Sequence, residues 1–127
     1  MKALVTGGCG FIGSHIVRGL LADGWQVTNL DKLTYASNPR NLGPDASHPD
    51  LSLVQGDICD GPLVRDLVDG LDLVLNFAAE THVDRSLLSA GHFLDTDVKG
   101  VFVLLEEARK VGVERFIQIS TDEVYGS

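Results

Sequence analysis

The stretch that most constrains what this chain can become is its opening, Lys2-Ala3-Leu4-Val5-Thr6-Gly7-Gly8-Cys9-Gly10-Phe11-Ile12-Gly13-Ser14, an apolar strand running into a glycine loop that opens a helix. The glycines at 7, 10 and 13 have separate duties. Gly7 allows a tight turn off the strand, Gly10 lets backbone approach a pyrophosphate, and Gly13 lets the new helix sit flush on the sheet. Amides at the helix start then face the phosphates, where the helix dipole also favours negative charge. A glycine triplet alone is weak evidence, because loops are glycine-rich in any case, so its context carries the argument.

That context has two parts. Ile12, Ile16, Val17, Leu20 and Leu21 give the helix one apolar face, and Gly24 closes it. Trp25 to Leu30 then reads as a second strand delivering Asp31 where a dinucleotide-binding unit wants an acid. A carboxylate there accepts both hydroxyls of an adenosine ribose and repels a 2′-phosphate, which favours NAD over NADP. Lys32 follows directly and softens that preference.

With 127 residues, 44% of them apolar, the chain can bury one core of about single-domain size. A formal net charge of −8 argues against nucleic acid or an anionic membrane surface as partner. Cys9 and Cys59 lie in different loops with no CxxC spacing, which suits small buried fillers in a reducing compartment. No basic-then-apolar leader precedes the first strand and no apolar run approaches the roughly 18 residues of a membrane span, so a cytoplasmic protein is expected. His15, His48 and His92 have no spacing that groups them as metal ligands.

The polar stretch from Lys32 to Asp50, with Pro39, Gly43, Pro44 and Pro49, reads as a loop at the sheet's carboxyl edge. Leu51 to Gln55 forms a third strand. Asp60 caps a helix with Pro62 in its first turn and Leu63, Val64, Leu67 and Val68 facing inward, and Gly70 ends it. Asp72 to Phe77 is a nearly continuous apolar strand of the kind covered on both faces. A long helix is expected from about Ala90 to Val111, with Phe93, Leu94, Val98, Val101, Leu105 and Ala108 at helical spacing and Gly112 as its stop, followed by a fifth strand from Glu114 to Ile119. Strands alternating with helices predict an α/β fold, a doubly wound, Rossmann-like parallel sheet with right-handed crossovers and strand order 3-2-1-4-5. Every candidate polar group then lies at a strand's carboxyl end, the rim where such sheets bind ligands.

The blocks Thr6 to Ser14, Asp31 to Ala36, Gly56-Asp57-Ile58, Ala78 to Ser86 and Ser120 to Gly126 resemble the extended short-chain dehydrogenase/reductase enzymes acting on nucleotide sugars, and within them the dTDP-glucose 4,6-dehydratases. The resemblance implies oxidation of sugar carbon 4 with NAD, elimination of water across carbons 5 and 6, and hydride return to carbon 6. It makes Asp122 the acid for the departing hydroxyl and Glu123 the base at carbon 5. An elimination needs one proton donor and one acceptor, held at different pKa values by their surroundings. Thr121, Thr81 and His82 become substrate contacts on a nucleotide sugar, most simply dTDP-glucose. Cofactor contacts carried over are Phe11, Ile12, Asp31, Lys32, Leu33, Thr34, Asp57, Ile58, Phe77, Ala78, Ala79, Glu80 and Thr96, besides the loop glycines. The resemblance also implies a homodimer of the full-length enzyme.

The chain departs from that pattern in several places: Cys9 stands where Ala is common, Thr81 where Ser is and Asp97 where Asn is expected, and the largest departure concerns the hydride chemistry. The family's hydride chemistry depends on a Tyr with a Lys four residues later, and this chain has no such pair: Pro39 stands four after Tyr35. The chain is therefore expected to be the amino-terminal part of a longer enzyme, an incomplete NAD-binding domain truncated after the fifth strand and without the sugar-nucleotide domain, inactive alone and with apolar surface uncovered. Alternatives are a nucleotide-sugar 4-epimerase or UDP-glucuronate decarboxylase, in which Asp122 would commonly be Ser or a small residue, and a non-catalytic NAD-binding module. As a bland reading, Asp122-Glu123 is a solvated turn and Asp57 a turn cap.

Overall fold

Lys2–Thr6 (β1) forms the middle of a parallel sheet because its side chains from Ala3 to Thr6 are all buried, which requires cover on both faces. The computed structural model describes residues 1–32, 39–77 and 99–119. Within them the sheet has five strands: β1, β2 (Gln26–Asp31), β3 (Leu51–Gln55), β4 (Leu73–Asn76) and β5 (Arg115–Gln118), in the order β3-β2-β1-β4-β5. All four pairings are parallel, with Thr6 opposite Leu30 on one side and Asn76 on the other. The expected order and fold class are those observed.

Side chains alternate across a strand, so adjacent residues feed two separate cores. Leu4, Leu30 and Val74 pack with Ile58, Val64, Val68 and Leu104 on the face covered by α2 (Gly61–Val68) and α3 (Gly100–Val111). Val5, Val27 and Leu75 pack with Val17, Leu21 and Leu42 on the face covered by α1 (Phe11–Ala22) and residues Pro39–Ser47. Each of these fully buried aliphatic side chains stabilises the fold by about 1.5–3 kcal/mol. Helix ends follow the punctuation read from sequence. The Asp60 side chain accepts from the Leu63 N–H, and Gly24, Gly70 and Gly112 take positive φ after α1, α2 and α3.

Four expectations need correction. The polar stretch after β2 is no plain loop: Pro39–Ser47 forms two 3₁₀ turns kinked at Gly43, anchored by buried Leu42 and by an Arg18–Asp45 ion pair at 3.5 Å. Helix α1 buries Gly13, Ser14, Val17 and Leu21 and leaves Ile12 and Ile16 exposed, because the close approach at Gly13 turns that side toward the Gly7–Gly8 backbone. Helix α3 turns Gly100, Leu104, Glu107 and Ala108 inward, while Leu105 is exposed and Val101 only half-buried. Glu107 can lie there because Arg65 of α2 reaches it at 3.2 Å and Lys110 at 3.5 Å. Cys9 is buried as expected, whereas Cys59 is half-exposed in the turn after β3. Of the long helix expected from Ala90, the part before residue 99 lies outside the described residues.

Candidate functional site

The glycine loop is held by backbone first. Gly7 turns off β1 with φ 72° while its N–H still donates to Leu30 O at 2.9 Å, and Gly10 N–H closes the loop on Gly7 O at 3.1 Å. A Cβ at position 13 would stand 2.4 Å from Gly7 O, so only glycine lets α1 start against the loop's own carbonyl. Gly8 is equally constrained, since a Cβ there would fall 2.5 Å from Asn29 Oδ1. Sequence reasoning passed over Gly8 and Asn29 together. The signal was available: Val27, Asn29 and Asp31 share one face of β2, and an amide in an otherwise apolar buried strand needs a partner.

Asn29 and Asp31 supply the loop's side-chain partners. Gly8 N–H donates to Asn29 Oδ1 at 2.8 Å and Cys9 N–H to Asp31 Oδ2 at 2.9 Å. Asn29 Nδ2 donates to Cys9 Sγ at 3.3 Å, and Asn41, from the 3₁₀ turns, donates to Cys9 O at 2.9 Å. Burial and then the Asp31 charge push the Cys9 thiol up to about 11, partly offset by the Asn29 hydrogen bond, so the sulfur stays protonated at neutral pH. Asp31 is only 7% exposed, and a carboxylate, which can accept about four hydrogen bonds, is the acceptor-only group at this end of β2. No described side chain caps α1, whose first-turn amides lack intrahelical partners. Beside them Phe11 and Ile12 are 75% and 61% exposed and form an apolar wall.

Past β3, the Asp57 carboxylate accepts from Cys59 N–H at 2.9 Å and meets Lys32 Nζ at 3.3 Å. Burial alone would raise this carboxyl, but the Cys59 amide and the Lys32 charge outweigh it and hold it below its ordinary value. Ile58 is packed in the core, so only its backbone can meet a ligand. Gly7, Gly10, Phe11, Ile12, Gly13, Asp31, Lys32 and Asp57 thus collect along the carboxyl ends of β1, β2 and β3.

The other half of the rim is a polar row that the sequence reading also missed. Thr6, Asn76 and Gln118 are register partners at the ends of β1, β4 and β5. The Thr6 hydroxyl donates to Asn76 Oδ1, and Asn76 Nδ2 donates to Gln118 Oε1 at 2.7 Å. Backbone bonds extend the ladder one residue, from Phe77 N–H to Thr6 O and from Ile119 N–H to Asn76 O. Phe77 therefore leaves from the same rim. Leu33, Thr34, Ala78, Ala79, Glu80, Thr81, His82, Thr96, Thr121, Asp122 and Glu123 lie outside the described residues. Among the described residues no group of His, Cys, Asp and Glu could hold a metal ion, and no helix is long and apolar enough to cross a membrane.

Chemically, the described half offers donors for a diphosphate at α1 and an acceptor for a diol at Asp31. Comparison with known proteins agrees in kind. The chain is 54% identical over 133 residues to a dTDP-glucose 4,6-dehydratase of Streptomyces niveus, covering 100% of this chain and 40% of that protein. The solved DesIV dTDP-glucose 4,6-dehydratase of Streptomyces venezuelae, with NAD bound, matches at TM-score 0.94 and 50% identity, over 100% of this chain and 41% of that one. A UDP-glucose-4-epimerase of Stenotrophomonas maltophila with NAD bound matches at TM-score 0.88 but 33% identity, over 99% of this chain and 38% of that one. The chain thus spans about 40% of the length of the curated relative it matches. Residues 4–127 match the family described as GDP-mannose 4,6 dehydratase, and the chain belongs to that family.

Proposed function

We propose that this chain is the NAD-binding unit of a dTDP-glucose 4,6-dehydratase. The observation that carries the cofactor reading is the Cys9 N–H to Asp31 bond, which sets a buried carboxylate beside the open first turn of α1. That pairing fits an adenine dinucleotide: amides for its diphosphate, an acceptor for its ribose diol, and a negative charge opposed to a 2′-phosphate. Held by the α1 amides and Asp31, NAD would supply the hydride acceptor for oxidation at sugar carbon 4 and the hydride donor for the return to carbon 6.

The chain's own residues serve the elimination, and the Tyr/Lys pair that would take the proton from the carbon 4 hydroxyl is not among them. Phe11 and Ile12 exclude water along the cofactor. Thr121, Thr81 and His82 orient the sugar. Asp122 delivers a proton to the hydroxyl leaving carbon 6, and Glu123 removes the proton at carbon 5, made acidic by the adjacent carbonyl. The higher identity to dehydratases than to the epimerase at similar TM-score supports dehydration over epimerisation. The same reading gives a cytoplasmic homodimer.

The test is an assay of the complete gene product with dTDP-glucose, watching for the 4-keto-6-deoxy product by its absorbance in alkali. Asp122→Asn and Glu123→Gln should each lower kcat by about 10²–10⁴-fold while NAD titrates as before. Conversion of dTDP-glucose to its 4-epimer without loss of water would instead support the epimerase reading.

A further inference from the structure

We propose that Asp57 is a determinant of dinucleotide choice, acting by holding the ammonium of Lys32 away from the position a 2′-phosphate would take. The proposal rests on the NAD reading above and adds a second element to the selectivity of Asp31. Lys32 directly follows that acid, and on its own it would offer a phosphate at the ribose a cation close at hand.

The structure gives that cation another partner. Asp31 and Gln55 are register neighbours on β2 and β3, and Gly56 N–H donates to Asp31 O at 3.0 Å, so the two strand exits run side by side. Two residues past Gln55, Asp57 is fixed by its own turn. Its Oδ1 accepts from Cys59 N–H, its carbonyl accepts from Asp60 N–H at 3.0 Å, and its Oδ2 faces Lys32 Nζ at 3.3 Å. The carboxylate is thus held independently of the lysine, and the lysine comes to it. A 2′-phosphate would meet the Asp31 carboxylate with the neighbouring Lys32 cation already engaged by Asp57, whereas a ribose diol meets an acceptor in Asp31.

Calorimetric titration of the complete gene product with NAD and with NADP tests this, the quantity read being the ratio of the NADP Kd to the NAD Kd. Any contact common to both dinucleotides cancels in that ratio. Asp57→Asn keeps an oxygen for the Cys59 amide and frees Lys32, so the ratio should fall roughly fivefold, the scale of one partly exposed ion pair. The double variant Asp57→Asn/Lys32→Met should return the ratio to that of the wild type, and Lys32→Met alone should leave it within about twofold. The proposal is overturned if Asp57→Asn leaves the ratio unchanged, or if the double variant keeps the single variant's gain. It is equally overturned if Lys32→Met alone raises the ratio several-fold, a result that stands even if the Asp57 variants do not fold. A wild type that binds neither dinucleotide defeats the NAD reading itself, whereas one that binds NAD with an unresponsive ratio defeats only the role given to Asp57.

Discussion

Two glycines separate conformational freedom from space. Gly24 has φ 87° and nothing within 4 Å of an added Cβ, while Gly13 has an ordinary helical backbone and a carbonyl at 2.4 Å. Gly24→Ala should therefore cost about 1–2 kcal/mol, the left-handed penalty for an L-residue. Gly13→Ala should cost about 1–3 kcal/mol by overpacking and also weaken NAD binding, because α1 must move off Gly7. Urea unfolding with NAD titration of both variants checks this, and equal NAD affinities would show that helix placement does not depend on position 13. The glycine spacing was legible in sequence because each demand falls on one residue. Gly8 was not, because its constraint comes from Asn29, 21 residues away.

At the scale of elements, α2 and α3 are joined by a charged residue that pattern reading places on the surface. Glu107 sits on the inward face of α3 between Arg65 and Lys110. Burial would raise its carboxyl, yet the Arg65 hydrogen bond and the Lys110 charge outweigh that and leave it below its ordinary 4.5. A carboxyl lowered by folding stabilises the native state above that ordinary value and ceases to do so as pH falls through the lower folded one. Glu107→Gln should therefore flatten the loss of stability below about pH 5, measured as urea midpoints from pH 7 to pH 3. Parallel acid limbs for variant and wild type would contradict it. Strands, caps and stops were readable from apolar runs and from Asp60, Gly70 and Gly112. The inward faces of α1 and α3 were not, since Ile12, Ile16 and Leu105 fit the helical period as well as Gly13, Leu104 and Glu107 do, and tertiary contacts decided between them. Pro39–Ser47 was read as loop for a related reason, its one fully buried side chain among those described being Leu42 within a polar run.

Across the whole molecule, burial is graded from the sheet's centre to its edges. β1 is buried from its second residue onward, whereas β3 and β5 carry no fully buried residue. Amide hydrogen exchange should follow that gradient, with β1 and β4 slowest and β5 and β3 opening at lower free energy, and uniform protection of the five strands would contradict it. The described half of the candidate site was legible because Gly7, Gly10, Gly13 and Asp31 follow or end β1 and β2, which apolar runs mark in the sequence. The assignment of Asp122 and Glu123 came from local sequence likeness and stays a matter for the enzyme assay.

The row formed by Thr6, Asn76 and Gln118 hands its hydrogen bonds in a single direction, hydroxyl to amide to amide. An aspartate at 76 could still receive from the threonine but would have nothing to give, so the glutamine would have to swing its amide by half a turn to present its NH₂ instead. A valine at 6 would remove the hydroxyl that donates to the central oxygen. Across related chains these three positions should drift in concert rather than singly, and aligned sequences in which they change independently would show that the strand exits tolerate mismatched polarity.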